Sequence, residues 1–175
     1  MTNRRRVIDD ERHVHFVTTS CYKRRRLFDS NLARDAVVSV LREQLVRRGG
    51  VCLGFVIMPD HAHLLVWFDQ PGHLSAFMDK WKELSSKQIS QILATHFRRY
   101  FERLPEGDPV WQARYYCFNV FSEAKTEEKL NYMHDNPVRA NLVKRAIDWR
   151  WSSDRWYEDR SNVGVPISWP TGLFE

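Results

Sequence analysis

The stretch Val51-Cys52-Leu53-Gly54-Phe55-Val56-Ile57-Met58-Pro59-Asp60-His61-Ala62-His63-Leu64-Leu65-Val66-Trp67-Phe68 organises the rest of the chain around itself. Val51 to Met58 is a continuous apolar run broken by one glycine, Pro59-Asp60 interrupts it, and His61 to Phe68 is a second run of strand character. Two strands joined so tightly predict an antiparallel hairpin. Upstream, His13 to Cys21 is rich in β-branched and aromatic residues and reads as a first strand. Between them, Asp29 or Ser30 can cap a helix through Leu32, Val37, Val40, Leu41 and Leu45, which Gly49-Gly50 stops. Downstream, Ser75 can cap a long helix through Phe77, Met78, Trp81, Leu84, Ile89, Ile92 and Leu93, ending near Phe101. After the loop Leu104 to Pro109, Val110 to Phe121 reads as a last, irregular strand. The order β-α-β-β-α-β predicts an α+β, ferredoxin-like antiparallel sheet with helices on one face. A further helix fits Thr126 to Asn136, with Thr126 as cap and Pro137 ending it.

Composition agrees with one globular domain or one domain with an extension. The 175 residues are 43% hydrophobic, enough for a core, and 27 Lys+Arg against 22 Asp+Glu give a net charge of +5. That balance favours an anionic partner without identifying one. No window approaches the roughly 18 apolar residues of a membrane span and no signal-type apolar stretch follows the start, so the expected compartment is the cytoplasm. Cys21, Cys52 and Cys117 are odd in number and far apart, which reads as core packing rather than disulfides or thiolate zinc. Residues 1–145 form the expected domain, and 146–175 a tail whose Trp149, Trp151, Trp156 and Trp169 pack on the domain or on its ligand.

Within the hairpin, His61 and His63 are two apart on a strand and project to one face, while Ala62, Leu64 and Val66 project to the other. With the apolar set beneath the helices, both imidazoles stand on the free face of the sheet, spaced to share one divalent metal. An isolated H-x-H also occurs as ordinary strand histidines, since a metal site needs a third ligand. In the later helix Tyr132 and Asn136 are four apart and share one face, with Asp135 close to it.

Together, MPDHAHLLV (58–66) and NYMHDNPVRANLV (131–143) resemble the REP-associated tyrosine transposases, within the single-tyrosine HUH insertion-sequence transposases. HVHFVTTSCYKRRRLF, VWQARYYCFNV and DWRWSS are similar to that family too, so the resemblance spans roughly residues 13–157. It implies that His61 and His63 are the paired metal ligands and Tyr132 the nucleophile. Asn136 corresponds to the polar residue that completes the metal site, although Asp135 beside it leaves the third ligand open between the two. The implied cofactor is Mg²⁺ or Mn²⁺. Ligand type alone would also admit Zn or Ni.

The activity implied is a DNA transposase that cleaves single-stranded DNA at hairpins of palindromic repeats through a 5′-phosphotyrosine and can rejoin strands, inside a bacterial cell at the nucleoid. A tyrosine suits that chemistry because it conserves the phosphodiester as a covalent ester that a free 3′-hydroxyl can attack in return. Arg4, Arg5, Arg6, Lys23, Arg24, Arg25, Arg26 and Arg139 are the expected nucleic-acid contacts, with Lys144 and Arg145 following. Related insertion-sequence enzymes work as dimers, whereas REP-associated members are held to act as monomers, and the longer tail inclines the reading to a monomer. Two other readings use the same residues: a catalytically silent repeat-DNA-binding regulator, and a metal-dependent nuclease in which water attacks.

Overall fold

The structure is a computed structural model, and it describes residues 13–174. Arg4, Arg5 and Arg6 lie outside the described residues. The order of elements is β1 (Val14–Ser20), α1 (Asn31–Arg47), β2 (Val51–Ile57), β3 (His61–Trp67), α2 (His73–His96), α3 (Arg98–Phe101), β4 (Tyr116–Val120), α4 (Glu123–Arg139) and α5 (Asp154–Asp159), with short 3₁₀ turns after β1 and before Trp149. The strands form one antiparallel sheet in the order β2-β3-β1-β4, the ferredoxin-like plan. No helix among the described residues is long and apolar enough to cross a membrane.

Register explains the hairpin. Val56 pairs with His63 and Ile57 with Ala62 across the tight Met58-Pro59-Asp60 connection, and β3 pairs in turn with β1, placing Thr18 opposite His63 and Ser20 opposite His61. Ala62, Leu64 and Val66 are fully buried on the face covered by α1 and α2, which pack on each other through Trp81, whose Nε1 donates to the Val37 carbonyl at 3.3 Å. The imidazole face is not free as expected. Helix α4 lies across it, because Gly54 has no side chain and lets Leu130 and Met133 approach the backbone of β2. With a layer on each face, every residue of β2 after Val51 and of β3 before Trp67 is buried, hence the unbroken apolar runs.

Several element ends differ from the sequence reading, each for a local reason. Helix α1 takes Ser30 as its cap, the hydroxyl accepting from the Ala33 amide. Helix α2 begins one turn before Ser75, because Gly72 adopts the left-handed conformation (φ +81°) that starts it, and it breaks at Phe97 instead of running to Phe101. The last strand covers only Tyr116–Val120. Residues 110–112 still pair with the chain at the end of β1, the Tyr22 amide donating to the Val110 carbonyl and the Gln112 amide to the Ser20 carbonyl. The ladder is interrupted between them and Tyr116, where Lys82 donates to the carbonyls of Gln112 and Ala113, while Trp111 Nε1 donates to Ser85 Oγ at 2.9 Å. Helix α4 starts earlier than Thr126. Ser122 is the cap, and the Thr126 hydroxyl donates back to the Ser122 carbonyl from inside the first turn. It also passes through Pro137, which sits within the last turn, where the missing N–H removes one backbone bond and the buried ring packs.

The segment after α4 follows the outer edge of β2. The Ile57 amide donates to the Trp151 carbonyl (2.8 Å), the Ser153 amide to the Phe55 carbonyl (2.9 Å), and the Ser168 amide to the Cys52 carbonyl (3.0 Å). Trp149 Nε1 donates to the Ile57 carbonyl and Tyr157 Oη to the Leu53 carbonyl. Trp149 and Trp151 are buried anchors that meet edge to face at 5.2 Å, and the Arg34 guanidinium lies 4.9 and 3.9 Å from their ring centroids. Cys21 and Cys52 are buried and Cys117 half-buried, all as free thiols.

Candidate active site

His61 and His63 enter from the start of β3, where the Pro59-Asp60 turn fixes the strand and the period of two places both rings under α4. Their centroids are 4.9 Å apart at 81°. Each ring is held through Nδ1. His61 Nδ1 lies 2.6 Å from Asp60 Oδ1, and His63 Nδ1 lies 2.8 Å from Thr18 Oγ1. A carboxylate accepting from Nδ1–H leaves Nε2 of His61 as its lone-pair nitrogen, and His63 Nε2 is buried with no hydrogen-bond partner among the described residues.

The electrostatics keep both rings neutral. Burial lowers the His63 pKa to about 3, helped by the neighbouring His61 ring and by the positive charges of Arg139, Arg24 and Lys129. Burial also lowers that of His61, against the pull of Asp60. An orphaned, buried imidazole nitrogen beside a second neutral imidazole is a donor pair that fits a divalent cation, because a metal ligand must be unprotonated.

Tyr132 comes from α4. Its ring centroid is 5.4 Å from that of His63 and 6.1 Å from Phe16, which itself stacks on His63 at 5.5 Å. Arg139, two turns along α4, donates to the Tyr132 carbonyl at 3.0 Å and lays its guanidinium 4.5 Å from the ring centroid. Tyr132 is nevertheless 44% exposed, so a large substrate can reach its hydroxyl. Asn136, half-buried, follows one turn after Tyr132 on the same side of the helix. Asp135, 100° further round, lines a groove with Asn131, His134, Asp154 and Tyr157 on the side of the C-terminal segment. Among the described residues no group of three or more His, Cys, Asp and Glu converges.

The chain therefore brings His61, His63, Tyr132 and Arg139 to one place. Residues 10–136 match the family model described as transposase IS200 like. The chain belongs to the IS200-like transposase family. A REP-associated tyrosine transposase of Escherichia coli (strain K12) is 22% identical to it over 138 residues, 79% of this chain and 71% of that protein. A REP-associated tyrosine transposase solved bound to a REP hairpin superposes with a TM-score of 0.64 at 19% identity, covering all of this chain and 94% of that one. A Deinococcus radiodurans R1 protein assigned as a transposase gives 0.50 at 19% identity over 77% of this chain and 96% of its own. At such identities these likenesses establish the fold.

In this IS200-like chain the basic cluster after β1 is already engaged. Arg24 pairs with Asp60 (3.0 Å) and donates to Ser20, Lys23 and Arg25 share Asp108 (3.5 and 2.7 Å), and Arg26 pairs with Asp29 (2.7 Å). Consecutive left-handed residues Lys23 and Arg24, both at φ +55°, turn the chain so that Arg24 meets Asp60 and so the histidine side of the sheet. The Arg26–Asp29 pair, exposed on both sides, is weak and exchanges readily for a phosphate, whereas Arg25 and Asp108 are mostly covered. Thr18, Asp60, Phe16 and the stacking role of Arg139 were not singled out in the sequence. The local cue for Asp60 was its place beside His61, whereas Thr18 is tied to His63 only through the register of β1 on β3.

Proposed function

We propose that this chain is a metal-dependent single-stranded DNA strand transferase that cleaves at palindromic repeat hairpins through Tyr132 and rejoins strands. The observation that carries the reading is the position of an exposed Tyr132 ring 5.4 Å from His63, under the Arg139 guanidinium. A hairpin substrate is also favoured by the fold shared with a transposase solved on a REP hairpin.

In the reaction Tyr132 Oη attacks the scissile phosphorus, the phenolic proton leaves to solvent, the Oη–P bond forms and the P–O3′ bond breaks, the leaving 3′-oxygen taking a proton from solvent. The products are a 5′-phosphotyrosine and a free 3′-hydroxyl, and attack by another 3′-hydroxyl reverses the step and releases Tyr132. Arg139 places a fixed cation beside the phosphate as charge builds on its oxygens. Asp60 holds the His61 imidazole in one tautomer, Thr18 orients that of His63, and Phe16 stacks against His63 and excludes water from that side. Mg²⁺ or Mn²⁺ held by His61, His63 and the Asn136 amide oxygen would polarise the scissile phosphate and offset its charge. The histidines and the tyrosine meet within one chain, which supports action as a monomer.

The test is a denaturing gel of the protein incubated with Mn²⁺ or Mg²⁺ and labelled oligonucleotides from palindromic repeats beside its own gene. A labelled band at protein-plus-DNA mass, lost in Tyr132→Phe while DNA binding persists, is the expected result. Cleavage without that band makes water the nucleophile, and tight binding with no cleavage in either metal makes the chain a repeat-binding factor.

A further inference from the structure

Away from the histidines, α1 and the C-terminal segment enclose a second polar cavity of about 350 Å³. Its α1 wall is Asp35, Ser39 and Arg42, at spacings of four and three that put them on one helical face. Its other wall is Arg150, Arg155 and Asn162, from the segment that hydrogen-bonds to β2. Three guanidinium groups thus face one carboxylate, and one of its two oxygens is already used. Asp35 Oδ1 accepts from Trp151 Nε1 at 2.8 Å, with Arg150 at 3.4 Å from the same atom.

Two of the three guanidinium groups have no protein partner among the described residues. Arg42 and Arg155 make no hydrogen bond or ion pair among the described residues, and the Arg155 Nε is buried without a partner. The carboxylates that sense Arg155 are committed elsewhere, Asp148 to Arg145 and Asp159 to the Ser161 amide and hydroxyl. Asn162 spends its Oδ1 on the Gly164 amide, which leaves its NH₂ to donate. A buried unpaired guanidinium nitrogen is costly unless something accepts from it. A cavity with three guanidinium groups against one carboxylate calls for an anion with several oxygens in a planar or tetrahedral array, which is what guanidinium forks hold best.

We propose that this cavity is a phosphate site, distinct from the Tyr132 centre, that grips a backbone phosphodiester of the bound DNA. This rests on the DNA-processing reading above. The site is fixed to the same sheet: Trp151 and Ser152 pair with Ile57 and Val56 of β2, and β2 pairs with His63 of β3. Strands are about 4.8 Å apart, so the β2 edge that carries the cavity's C-terminal wall lies one strand from β3 and its histidines. Its role is to set where the DNA lies, without touching the reacting atoms.

The experiment compares Tyr132→Phe, which cannot cleave, with the same chain carrying Arg42→Gln and Arg155→Gln, by fluorescence anisotropy on a labelled repeat hairpin over a salt series. Affinity is expected to fall about tenfold at low salt and the salt slope to shrink by about one per lost contact, with Arg42→Lys and Arg155→Lys restoring part of both. Thermal melting of both proteins in inorganic phosphate and in a mononucleotide gives the second arm. Equal DNA affinity and salt slope in a folded variant overturn the proposal. Loss of a phosphate-induced melting shift with an unchanged DNA slope also overturns it, by making the ligand a free phosphate. If the parent protein binds no DNA, the DNA-processing reading itself has failed, and the two failures are told apart.

Discussion

Thr18 is the residue whose role is easiest to misjudge, since a threonine on a strand is ordinary until its partner is known. Its Oγ1 lies 2.8 Å from His63 Nδ1, and that contact aims the orphaned Nε2. Thr18→Val keeps shape and removes the hydroxyl, so Mn²⁺ affinity by calorimetry is expected to fall about 10–100-fold with the melting temperature nearly unchanged; unchanged affinity would remove Thr18 from the site. His134 is the neighbouring case with a structural outcome. Its Nε2 meets Ser153 Oγ at 2.8 Å, Nδ1 sits 3.2 Å from Asp154 Oδ1, and burial lowers its pKa to about 4 despite Asp135. The unfolded chain protonates this histidine near pH 6.5 while the folded ring stays neutral, so its stability contribution is whole above about pH 6.5 and declines as pH falls toward 4, by at most about 3 kcal/mol. Asp154, raised by burial, acts with the opposite sign and His61, lowered by burial, with the same one, so urea denaturation between about pH 6.5 and 5 reads His134 by comparison with its variant. His134→Gln should flatten that slope, although the buried His63 retains its own share. At this scale His61, His63 and Tyr132 were legible because their types and spacings are local, whereas Thr18 depended on a register between strands 45 residues apart.

At the scale of elements, the site exists because α4 can lie on β2, and Gly54 is what permits it. A Cβ there would meet Leu130, with Met133 Cε at 3.0 Å and Ser153 Oγ at 3.1 Å. Gly54→Ala asks flexible side-chain ends to yield, costing about 1–3 kcal/mol, and Gly54→Val asks more. Since α4 carries Tyr132, lifting it also displaces the nucleophile from His63. The expected outcome is a lower melting temperature together with a fall of about 100-fold in adduct formation, as misplacement by about 1 Å brings. Stability loss with full adduct rate would show that α4 re-seats without moving Tyr132. The helices were legible from their apolar spacing, but their ends were not: Ser122 and Gly72 start α4 and α2 through cap geometry that Thr126 and Ser75 mimic in sequence. Nor did the alternation in β3 disclose a helix over the imidazole face, because a strand buried on both sides hides which layer covers each.

Across the whole molecule, the strand order followed from the order of elements, while the path of the last thirty residues did not, since its backbone bonds to β2 leave no side-chain pattern and Trp149, Ser153 and Tyr157, which add to them, read equally as ordinary packing residues. Those bonds matter because β2 is the edge of the sheet, and an uncovered apolar edge is a template for pairing with another chain. Cys52, Leu53, Phe55 and Ile57 all spend backbone groups on the C-terminal segment, and Ser153 adds a junction by accepting from the Phe55 amide at 3.0 Å while contacting His134 of α4. A chain ended at Arg145 leaves these groups unpaired, strips Trp149 and Trp151 from Arg34, and removes the support behind α4. Its expected behaviour is self-association through β2, seen by size-exclusion chromatography with light scattering, and a loss of cooperative melting. A shortened chain that stays monomeric and melts within about 2–4 °C of the full protein would mean that the sheet and α4 hold themselves together. In that event the C-terminal segment would be a separate layer, free to serve the DNA through Arg150 and Arg155 rather than the fold.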